Sequence, residues 1–319
     1  MSRLGVGLYG TNGHQIQGAL RDHPRAELVA TAAFDRHALP DALRVKPDVH
    51  HYATLDSMLA SPRVQLVSLC SPVRKDQARE AIRCLEAGKH VYAEKPCALS
   101  EAELHEIVSA SRRTGRCFRE MSGAAFEQPY FAMRRVVQSG ALGTVVQVLA
   151  QKSYPYHDRR PQDEDVDGGL LLQAGVHAFR FVEHVGGVRI AETTALETTL
   201  GNPREGRLRM AVSMSARLEN GGVASILCNY LNPPTFGSWG NESLRIFGTQ
   251  GMVEAVDGGK RTRLVLTTGD HGPLDTSESG VNWLDLYMAE ILGEAKLPLP
   301  LEEDIHPTRM VLRAKAAAK

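Results

Sequence analysis

Short apolar segments alternate with helix-like segments over the first 122 residues of the chain. Apolar strands that follow one another through helices pair most readily as a parallel sheet with helices on both faces. The alternation therefore predicts an α/β domain with a doubly wound parallel sheet over residues 1–122. The predicted strands are Leu4–Tyr9, Leu28–Phe34, Val64–Cys70, His90–Ala93 and Cys117–Glu120, and the predicted helices are His14–Arg21, Leu55–Ala60, Lys75–Ala87 and Ser100–Thr114.

The pattern changes after about residue 122, where β-rich runs follow one another with little helix between them. These runs lie at Thr144–Lys152, Glu192–Leu200, Arg207–Leu218, Gly222–Leu231, Ser243–Phe247, Met252–Val256 and Arg263–Thr268, and helices are predicted at Pro129–Ser139, Gly169–His184, Trp283–Gly293 and Glu302–Ala317. Successive strands of this kind form antiparallel sheets. Residues 123–319 are therefore predicted to form an α+β domain with an open, mainly antiparallel sheet.

The charge balance argues against several classes of function. The 319 residues carry 37 basic and 37 acidic side chains, so the formal net charge is zero. No nucleic-acid or membrane partner is expected from such a surface. The chain enters a strand almost at once and has no apolar run of membrane-spanning length, so a cytoplasmic location is expected. Its five cysteines are widely spaced, which predicts reduced core thiols and no metal site.

The first predicted strand is followed by the turn Gly10-Thr11-Asn12-Gly13, which leads into the helix predicted from His14. A glycine turn between a strand and a helix brings backbone N–H groups close to a pyrophosphate. Gly10 is interpreted as the tight-turn glycine, with Asn12 and Gln15 where further glycines are usual. The next strand is followed by Asp35, where a carboxylate binds the ribose hydroxyls of a dinucleotide. Asp35 favours NAD over NADP, although Arg36 is able to accept the extra phosphate or to stack on adenine.

Another predicted strand is followed at once by Glu94, Lys95 and Pro96. Proline stops ladder pairing and disfavours the helical conformation of the residue before it, which places Lys95 in an extended pose at the strand end. Ser71 and Pro72 follow the preceding strand in the same way. Ligands of open parallel sheets bind at this edge. On these residues alone, Glu94 and Lys95 are equally consistent with a surface pair at a strand-to-helix turn.

Taken in order, these motifs resemble those of the Gfo/Idh/MocA oxidoreductases, a family that includes glucose-fructose oxidoreductase and inositol dehydrogenase. The resemblance is carried by Gly10–His14, Asp35, Gly88-Lys89-His90-Val91 with Glu94-Lys95-Pro96, and Gly168-Gly169 with Gly175-Val176-His177. It implies an N-terminal Rossmann domain that binds NAD, or alternatively NADP. It also implies a second domain whose open sheet forms a homodimer or homotetramer interface. Hydride would pass between the nicotinamide and a hydroxyl-bearing carbon of a sugar, polyol or related small molecule.

The resemblance places Lys95 and His177 in the active site, and the motifs around them complete the set of candidate residues. Cofactor contacts are expected from Gly10, Thr11, Asn12, Gly13, His14, Gln15, Asp35, Arg36, Ser71, Pro72, Glu94 and Lys95. Substrate contacts are expected from Lys95, Tyr156, Gln173, His177 and Arg180, and catalytic roles from Lys95, His177 and Gln173. Histidine suits the removal of a hydroxyl proton because its pKa lies near neutrality, while a lysine cation stabilises a developing alkoxide.

One stripe of a predicted helix carries polar side chains at Gln173, His177, Arg180 and His184. The stripe is either a substrate-binding face or the solvated face of an amphipathic helix. Residues 154–167 precede this helix. They are either a loop that binds substrate hydroxyls through Tyr156, or a polar segment whose acidic residues favour the helix N-terminus, with Asp167 as a candidate cap.

Several positions depart from the family pattern, and two of them bear on catalysis. Gln173 stands where a carboxylate is often found, and Asp76 stands where a histidine often follows the strand-end proline. Without an anion at position 173 to raise its pKa, His177 is expected to be neutral at pH 7 and able to accept a proton. The same departures leave open a non-catalytic nucleotide-sensing protein. Transient oxidation that serves elimination or hydrolysis is a third alternative.

Overall fold

The computed structural model describes residues 3–319, which form two compact units. Of the described residues, the first unit contains 3–121, Asp165–Asp167 and Trp283–Ile305, and the second contains Ser122–Glu164, Gly168–Asn282 and His306–Lys319. The first division lies next to the expected boundary at residue 122. The segment Trp283–Ile305, which the sequence analysis placed with the second domain, belongs to the first unit.

A six-stranded parallel sheet forms the centre of the first unit. Its strands are β1 (Leu4–Tyr9), β2 (Ala26–Ala32), β3 (His50–Tyr52), β4 (Leu66–Leu69), β5 (His90–Ala93) and β6 (Phe118–Glu120). They lie in the order β3-β2-β1-β4-β5-β6, which confirms the predicted doubly wound arrangement. The edge strand β3 was not predicted, because its three polar and aromatic residues carry no apolar periodicity.

The connections of this sheet contain the helices α1 (Asp41–Arg44), α2 (Leu55–Leu59), α3 (Gln77–Glu86) and α4 (Glu101–Thr114). Helix α4 begins with a capping box, in which Ser100 Oγ accepts from the amide of Glu103 and the Glu103 carboxylate accepts from the amide of Ser100. It ends at Gly115, whose φ of 65° is a left-handed conformation that favours glycine. Local capping chemistry thus fixes both ends of the helix.

The prediction of a helix at His14–Arg21 was wrong. This stretch forms turns, with a hydrogen bond of 3.0 Å from Ala19 N to Ile16 O, only three residues apart. The apolar spacing that suggested a helix still buries Ile16 and Leu20. Gly18 lies in the middle of the segment and disfavours a helix by about 1 kcal/mol relative to alanine. Turns therefore achieve the burial for which a helix was expected.

The second unit is built on an eight-stranded sheet. Its strands are β7 (Val145–Ser153), β8 (Ile190–Thr198), β9 (Ala211–Leu218), β10 (Val223–Asn229), β11 (Ser243–Gly248), β12 (Gly251–Val256), β13 (Arg261–Leu266) and β14 (Gly269–Gly272). They lie in the order β14-β13-β12-β11-β7-β10-β9-β8, and all neighbours are antiparallel except β7 with β10. The predicted open, mainly antiparallel sheet is confirmed. Strand β14 escaped prediction because its four residues, GDHG, are all glycine or polar.

The two faces of this sheet differ in burial. The chain between β6 and β8 contains the helices α5 (Tyr130–Gln138), α6 (Glu164–Asp167) and α7 (Gly169–Arg180), and α7 continues as a π-helix over Phe181–Val185. Helix α7 packs against β7 and β10. Along β10, Ala224, Ile226 and Cys228 are buried, whereas Val223 and Leu227 are exposed on the opposite face. This alternation is typical of a sheet with one face in a core.

Helix α8 (Trp283–Ile291) packs into the first unit, although it comes late in the chain. The buried Tyr287 hydroxyl lies 2.9 Å from Val91 O and 2.8 Å from Cys117 O, so it binds backbone carbonyls beside the pairing of β5 with β6. Burial raises the pKa of Tyr287 far above its ordinary value, so the hydroxyl stays protonated and donates. Helix α9 (Leu301–Ala316) ends the fold, and the division between the units falls within it.

All five cysteines lie within residues 3–319 and are present as thiols, as predicted; four are buried and Cys117 is partly exposed. Burial raises the pKa of the Cys228 thiol to about 12, which keeps this sulfur protonated and unreactive.

None of the helices in the described part of the chain combines the length and the apolar composition needed to span a bilayer.

Candidate functional site

The loop after β1 lies at the carboxyl edge of the parallel sheet, where ligands of such sheets bind. Gly10 has a left-handed φ of 69°, and a Cβ at this position would lie 2.0 Å from Cys70 O, just beyond β4. Gly10 N also donates to Ala32 O at the end of β2, at 3.1 Å. Glycine is therefore required for the chain to pass this close to both neighbouring strands.

The loop after β1 leads into turns instead of the expected helix, and two of its side chains, Asn12 and Gln15, fix its position by hydrogen bonds. Asn12 Nδ2 donates to Val166 O at 2.6 Å and to Pro72 O at 3.2 Å. Gln15 Nε2 lies 3.2, 3.0 and 3.2 Å from the carbonyl oxygens of Tyr9, Gly10 and Ser68. Gln15 therefore covers the ends of β1 and β4, where a glycine usually allows a helix to pack closely.

A buried carboxylate, Glu94, joins the loop to the predicted catalytic lysine. Its Oε2 accepts from His14 N at 2.9 Å, and its Oε1 lies 3.0 Å from His14 Nδ1 and 3.6 Å from Lys95 Nζ. Glu94 is 1% exposed and Lys95 is 3% exposed, so the interpretation of these residues as a surface pair is wrong. Burial raises the pKa of Glu94, but the Lys95 cation and His14 outweigh that effect and hold it at about 2.

A buried glutamine that the sequence analysis did not select, Gln77, extends this network. Its Nε2 donates to Glu94 O at 2.5 Å and to Pro96 O at 3.0 Å. Its Oε1 accepts from Arg74 Nη1 at 2.5 Å and from Ser71 N at 3.3 Å. One amide side chain thereby connects the segments that follow β4 and β5.

Arg74 is the second buried residue that was missed. Its Nη2 donates to Asn12 O at 2.6 Å, which ties the loop after β1 to the segment after β4. Burial lowers the pKa of Arg74, and the Glu94 carboxylate opposes that effect. A signal for both missed residues was present in the sequence, because they follow the strand-end Pro72 and so lie at the same sheet edge as Lys95.

The residues at this edge fit a nicotinamide dinucleotide. Ser71 Oγ is buried and finds no hydrogen-bond partner among residues 3–319, so a ligand group at this point would satisfy it. Asp35 and Arg36 are exposed after β2, and Asp35 Oδ1 accepts from His37 N at 2.9 Å. A carboxylate accepts several hydrogen bonds, so Asp35 can cap this turn and bind ribose hydroxyls together. Gly10–Gln15, Ser71 and Asp35 are the residues that could hold the cofactor.

In the second unit, Gln173 and His177 lie one turn apart on α7, and both are half-buried. His177 Nδ1 lies 2.9 Å from Oγ of the buried Ser122. When Nδ1 carries the proton and donates to this hydroxyl, Nε2 has a lone pair that can accept a proton. Ser122 was missed because a single serine 55 positions away in the sequence gives no signal of this contact.

Arg180 and His184, on the same predicted stripe, are buried inside the second unit. Arg180 Nη1 donates to Val176 O at 3.3 Å and to Thr308 Oγ1 at 3.1 Å. The interpretation of the stripe as a solvated face is therefore wrong for these two residues. The contacts of Arg180 favour a structural role, and its expected contact with substrate stays a prediction.

The structure corrects the expectation for Asp167 and gives the partner of Asp76, two acidic residues that the sequence analysis singled out. Asp167 does not cap α7, because Gly168 occupies the N-cap position with a left-handed φ of 95° and no side-chain hydrogen bond. Asp167 ends the short helix α6. Asp76 forms an ion pair of 2.6 Å with Arg79 at the surface of α3. A local ion partner thus accounts for Asp76.

The loop after β7 carries two neutral polar groups. Tyr156 Oη and His157 Nδ1 are buried, and neither has a hydrogen-bond partner within the described chain. Burial lowers the pKa of His157, and Arg160 and Arg159 add to that effect, so this imidazole is neutral at pH 7.

Across residues 3–319, no cluster of three or more His, Cys, Asp or Glu is arranged to hold a metal ion.

Two family models match the chain. The model described as an oxidoreductase family with an NAD-binding Rossmann fold matches residues 4–121, and the Gfo/Idh/MocA C-terminal domain model matches residues 130–254. The first match confirms the predicted NAD cofactor and the oxidoreductase class of enzyme.

The individual proteins similar to this chain are about a quarter identical to it over the residues that they match. YrbE of Bacillus subtilis, named as an oxidoreductase, is 27% identical over 231 residues, which are 69% of this chain and 63% of YrbE. The chain thus spans less than two thirds of that relative. The trans-1,2-dihydrobenzene-1,2-diol dehydrogenase of Bos taurus is 25% identical over 272 residues, or 84% and 78% of the two chains. An oxidoreductase structure from Thermotoga maritima superposes with a TM-score of 0.87 at 23% identity, over 98% and 97% of the two chains, and so shares the fold.

The substitution Glu94→Gln should reduce the loss of stability in acid. The native pKa of about 2 lies below the unfolded value of about 4.3, so the unfolded chain binds more protons between these values. The stabilisation by this carboxylate is complete above about pH 4.5 and is lost as the pH falls toward 2. Urea denaturation at several pH values should therefore give a smaller pH slope of the unfolding free energy for Glu94→Gln.

The absolute stability of this variant should also fall, because Lys95 loses its anion. The exposed Glu86, which pairs with Arg113, supplies the control, and Glu86→Gln should keep the wild-type slope. Equal slopes for wild type and Glu94→Gln would contradict the assignment of Glu94 as an ionised buried group.

Proposed function

Since this chain belongs to the Gfo/Idh/MocA oxidoreductase family, we propose that it is an NAD-dependent dehydrogenase or reductase of a sugar, polyol or related hydroxylated small molecule. The observation that carries the proposal is the buried network that fixes Lys95 at the carboxyl edge of the parallel sheet. When bound, the nicotinamide accepts or supplies the hydride. The diol named for the Bos taurus relative supports a substrate with hydroxyl-bearing carbons.

Lys95 is proposed to stabilise negative charge on the substrate oxygen. Its Nζ lies 3.6 Å from Glu94 Oε1, and this nearby anion favours the charged form of the lysine despite its burial. A cation already fixed in place stabilises a developing alkoxide without reorganising at the moment of reaction. Glu94 thus acts as a positioning residue, since it holds both His14 and Lys95.

His177 is proposed as the base that takes the hydroxyl proton. Ser122 would orient it by accepting from Nδ1, which leaves Nε2 for the substrate. Gln173, one turn away, and Tyr156, with its buried hydroxyl, are proposed to bind substrate hydroxyls. Family membership and the dehydrogenase relatives do not favour the non-catalytic alternative, and no contact in the described chain favours elimination or hydrolysis.

The protein should bind NADH more tightly than NADPH by at least about tenfold, because Asp35 would repel the extra phosphate. Fluorescence titration of the purified protein with each reduced cofactor measures this ratio. The variant Asp35→Asn should narrow it, whereas Asp41→Asn, an exposed control, should leave it unchanged. Tighter binding of NADPH would contradict the proposal and assign Arg36 to the phosphate.

Lys95→Ala should abolish turnover while NADH affinity stays within about tenfold of the wild-type value, a change of roughly 1.4 kcal/mol.

His177→Ala should lower kcat/KM by about 10²–10⁴-fold, the usual size of general-base assistance. Gln173→Ala should chiefly raise KM, because it removes binding rather than proton transfer. A panel of sugars and polyols, followed by absorbance of NADH, provides the measurement.

The exposed Lys46 provides a control for the loss of a lysine, and Lys46→Ala should retain full turnover. NADH binding shows whether each variant is folded. A Lys95→Ala protein with near-wild-type turnover would remove Lys95 from the mechanism. A silent His177→Ala would move the base to Tyr156, His157 or Lys95.

The exposed face of the second sheet is proposed to join copies of the chain as a homodimer or homotetramer. Leu227 on β10 lies opposite Ser213 on β9, and Ser213 lies opposite Leu196 on β8, so the three form one row. Leu227 is 46% exposed and Leu196 is 62% exposed. Leu196 and Leu227 thus lie on the same exposed face of the sheet with the small Ser213 between them, and apolar side chains exposed together on one face favour a protein interface.

Light scattering should therefore give a mass of at least twice 34.8 kDa for the wild-type chain. Leu227→Glu should shift the mass toward 34.8 kDa, because the interface would bury an unpaired carboxylate. Val73→Glu changes an exposed apolar residue in the first unit and should leave the mass unchanged. A wild-type monomer would refute this part of the proposal.

A further inference from the structure

An aromatic cluster lies at the carboxyl ends of the two parallel strands of the second unit, β7 and β10. We infer that this cluster binds one face of a ring-shaped, hydroxylated substrate, with Trp239 as the surface on which the ring stacks. The inference rests on the proposed function and narrows its substrate class from polyols in general to cyclic ones. Trp239 has no place in the family motifs quoted above.

Backbone and side-chain hydrogen bonds join the segments that follow the two strands. Tyr154 N donates to Asn229 O at 2.9 Å, and Asn232 N donates to Tyr154 O at 3.2 Å. The buried Asn232 also donates through Nδ2 to Ser153 O at 3.0 Å and to Trp239 O at 3.3 Å. The two loops therefore form one surface, and Asn232 fixes the backbone of Trp239 on it.

The indole of Trp239 is 56% exposed yet supported by neighbouring rings. Its centroid lies 5.8 Å from that of His157 at an interplanar angle of 31°, and 6.1 Å from that of Tyr154 at 36°. The guanidinium of Arg160 lies 3.5 Å from the Tyr230 ring centroid and 6.0 Å from that of Trp239. These contacts are of the offset and cation–π kinds that orient aromatic rings. The neighbouring rings and Arg160 thus fix the orientation of the indole, whose exposed part is available to a ligand.

Polar groups with unused hydrogen-bonding capacity lie on the loop after β7, and one of them, His157, contacts Trp239. Tyr156 Oη and His157 Nδ1 are both buried and have no partner within the described chain. A buried polar group without a hydrogen bond costs about 1–3 kcal/mol. Tyrosine and neutral histidine can each donate to or accept from an alcohol. Ligand hydroxyl groups would therefore satisfy both atoms.

The combination of an aromatic surface with neutral hydroxyl-binding groups selects for ring substrates. A saturated ring has a fixed C–H face that packs on an indole, while its hydroxyl groups remain at the edge for hydrogen bonds. An acyclic polyol has no such fixed face and loses more rotamer freedom when it binds. Cyclic polyols and pyranose sugars are therefore the expected class.

Tryptophan fluorescence tests this inference without turnover. The chain has two tryptophans, and the other, Trp283, is 5% exposed, so acrylamide quenching reports mainly on Trp239. The probes are trans-cyclohexane-1,2-diol and D-glucose as ring compounds and D-glucitol as the acyclic compound. The ring compounds should protect Trp239 at concentrations at least about tenfold lower than D-glucitol.

Variants at Trp239 complete the design. Calorimetry should show at least about tenfold weaker binding of the ring compounds to Trp239→Ala and little change for D-glucitol, whereas Trp239→Phe should keep most of the affinity. Leu200→Ala, which alters an exposed apolar residue elsewhere in the second unit, should bind like wild type. For any ring compound that is turned over, Trp239→Ala should raise KM and leave kcat nearly unchanged.

The outcomes separate this inference from the proposed function. Turnover of polyols with unchanged ring affinity and KM in Trp239→Ala would overturn the inference and leave the proposed function standing. Ring compounds could protect Trp239 from acrylamide without being turned over with either NAD or NADP. That result would support the binding surface and overturn the dehydrogenase proposal. A change of mass in Trp239→Ala, with ring binding intact, would assign Trp239 to an interface and overturn the inference.

Discussion

The ion pair between Glu94 and Lys95 is the interaction on which the first unit depends. Both side chains are buried, and a charge removed from water must keep its partners or lose several kcal/mol. The same carboxylate accepts from the amide of His14, and the backbone carbonyl of Glu94 accepts from Gln77. The nucleotide loop and the lysine are therefore placed by one set of contacts, and neither can move without a cost to the other.

Several of the groups proposed to bind substrate in the second unit are neutral, while the Arg160 cation supports the same aromatic cluster. His177 contacts the hydroxyl of Ser122, and the cluster around Trp239 adds aromatic rings and an imidazole that burial keeps uncharged. Charged groups suit the stabilisation of a developing alkoxide, whereas neutral groups suit the binding of an uncharged hydroxylated molecule. The chemistry of each unit thus corresponds to the role proposed for it.

The features that could be predicted from sequence were those with local causes. Alternating strand and helix segments predicted the sheet of the first unit, successive β-rich runs predicted that of the second, and Pro96 placed Lys95 at a strand end. The helix expected at His14–Arg21 failed because burial of two apolar side chains can be met by turns as well as by a helix. Ser122 was missed because its role depends on His177, a partner that lies 55 positions away in the sequence. Pairing of this kind leaves no period for a pattern to reveal.

The return of α8 to the first unit has a consequence for the order of folding during synthesis. Tyr287 binds the carbonyl of Cys117, a residue made 170 positions earlier. At about 5–20 residues per second, the ribosome needs on the order of 10 s to supply that partner. The Rossmann sheet thus emerges first but receives Tyr287 among its last contacts, and until then the Val91 and Cys117 carbonyls lack this donor.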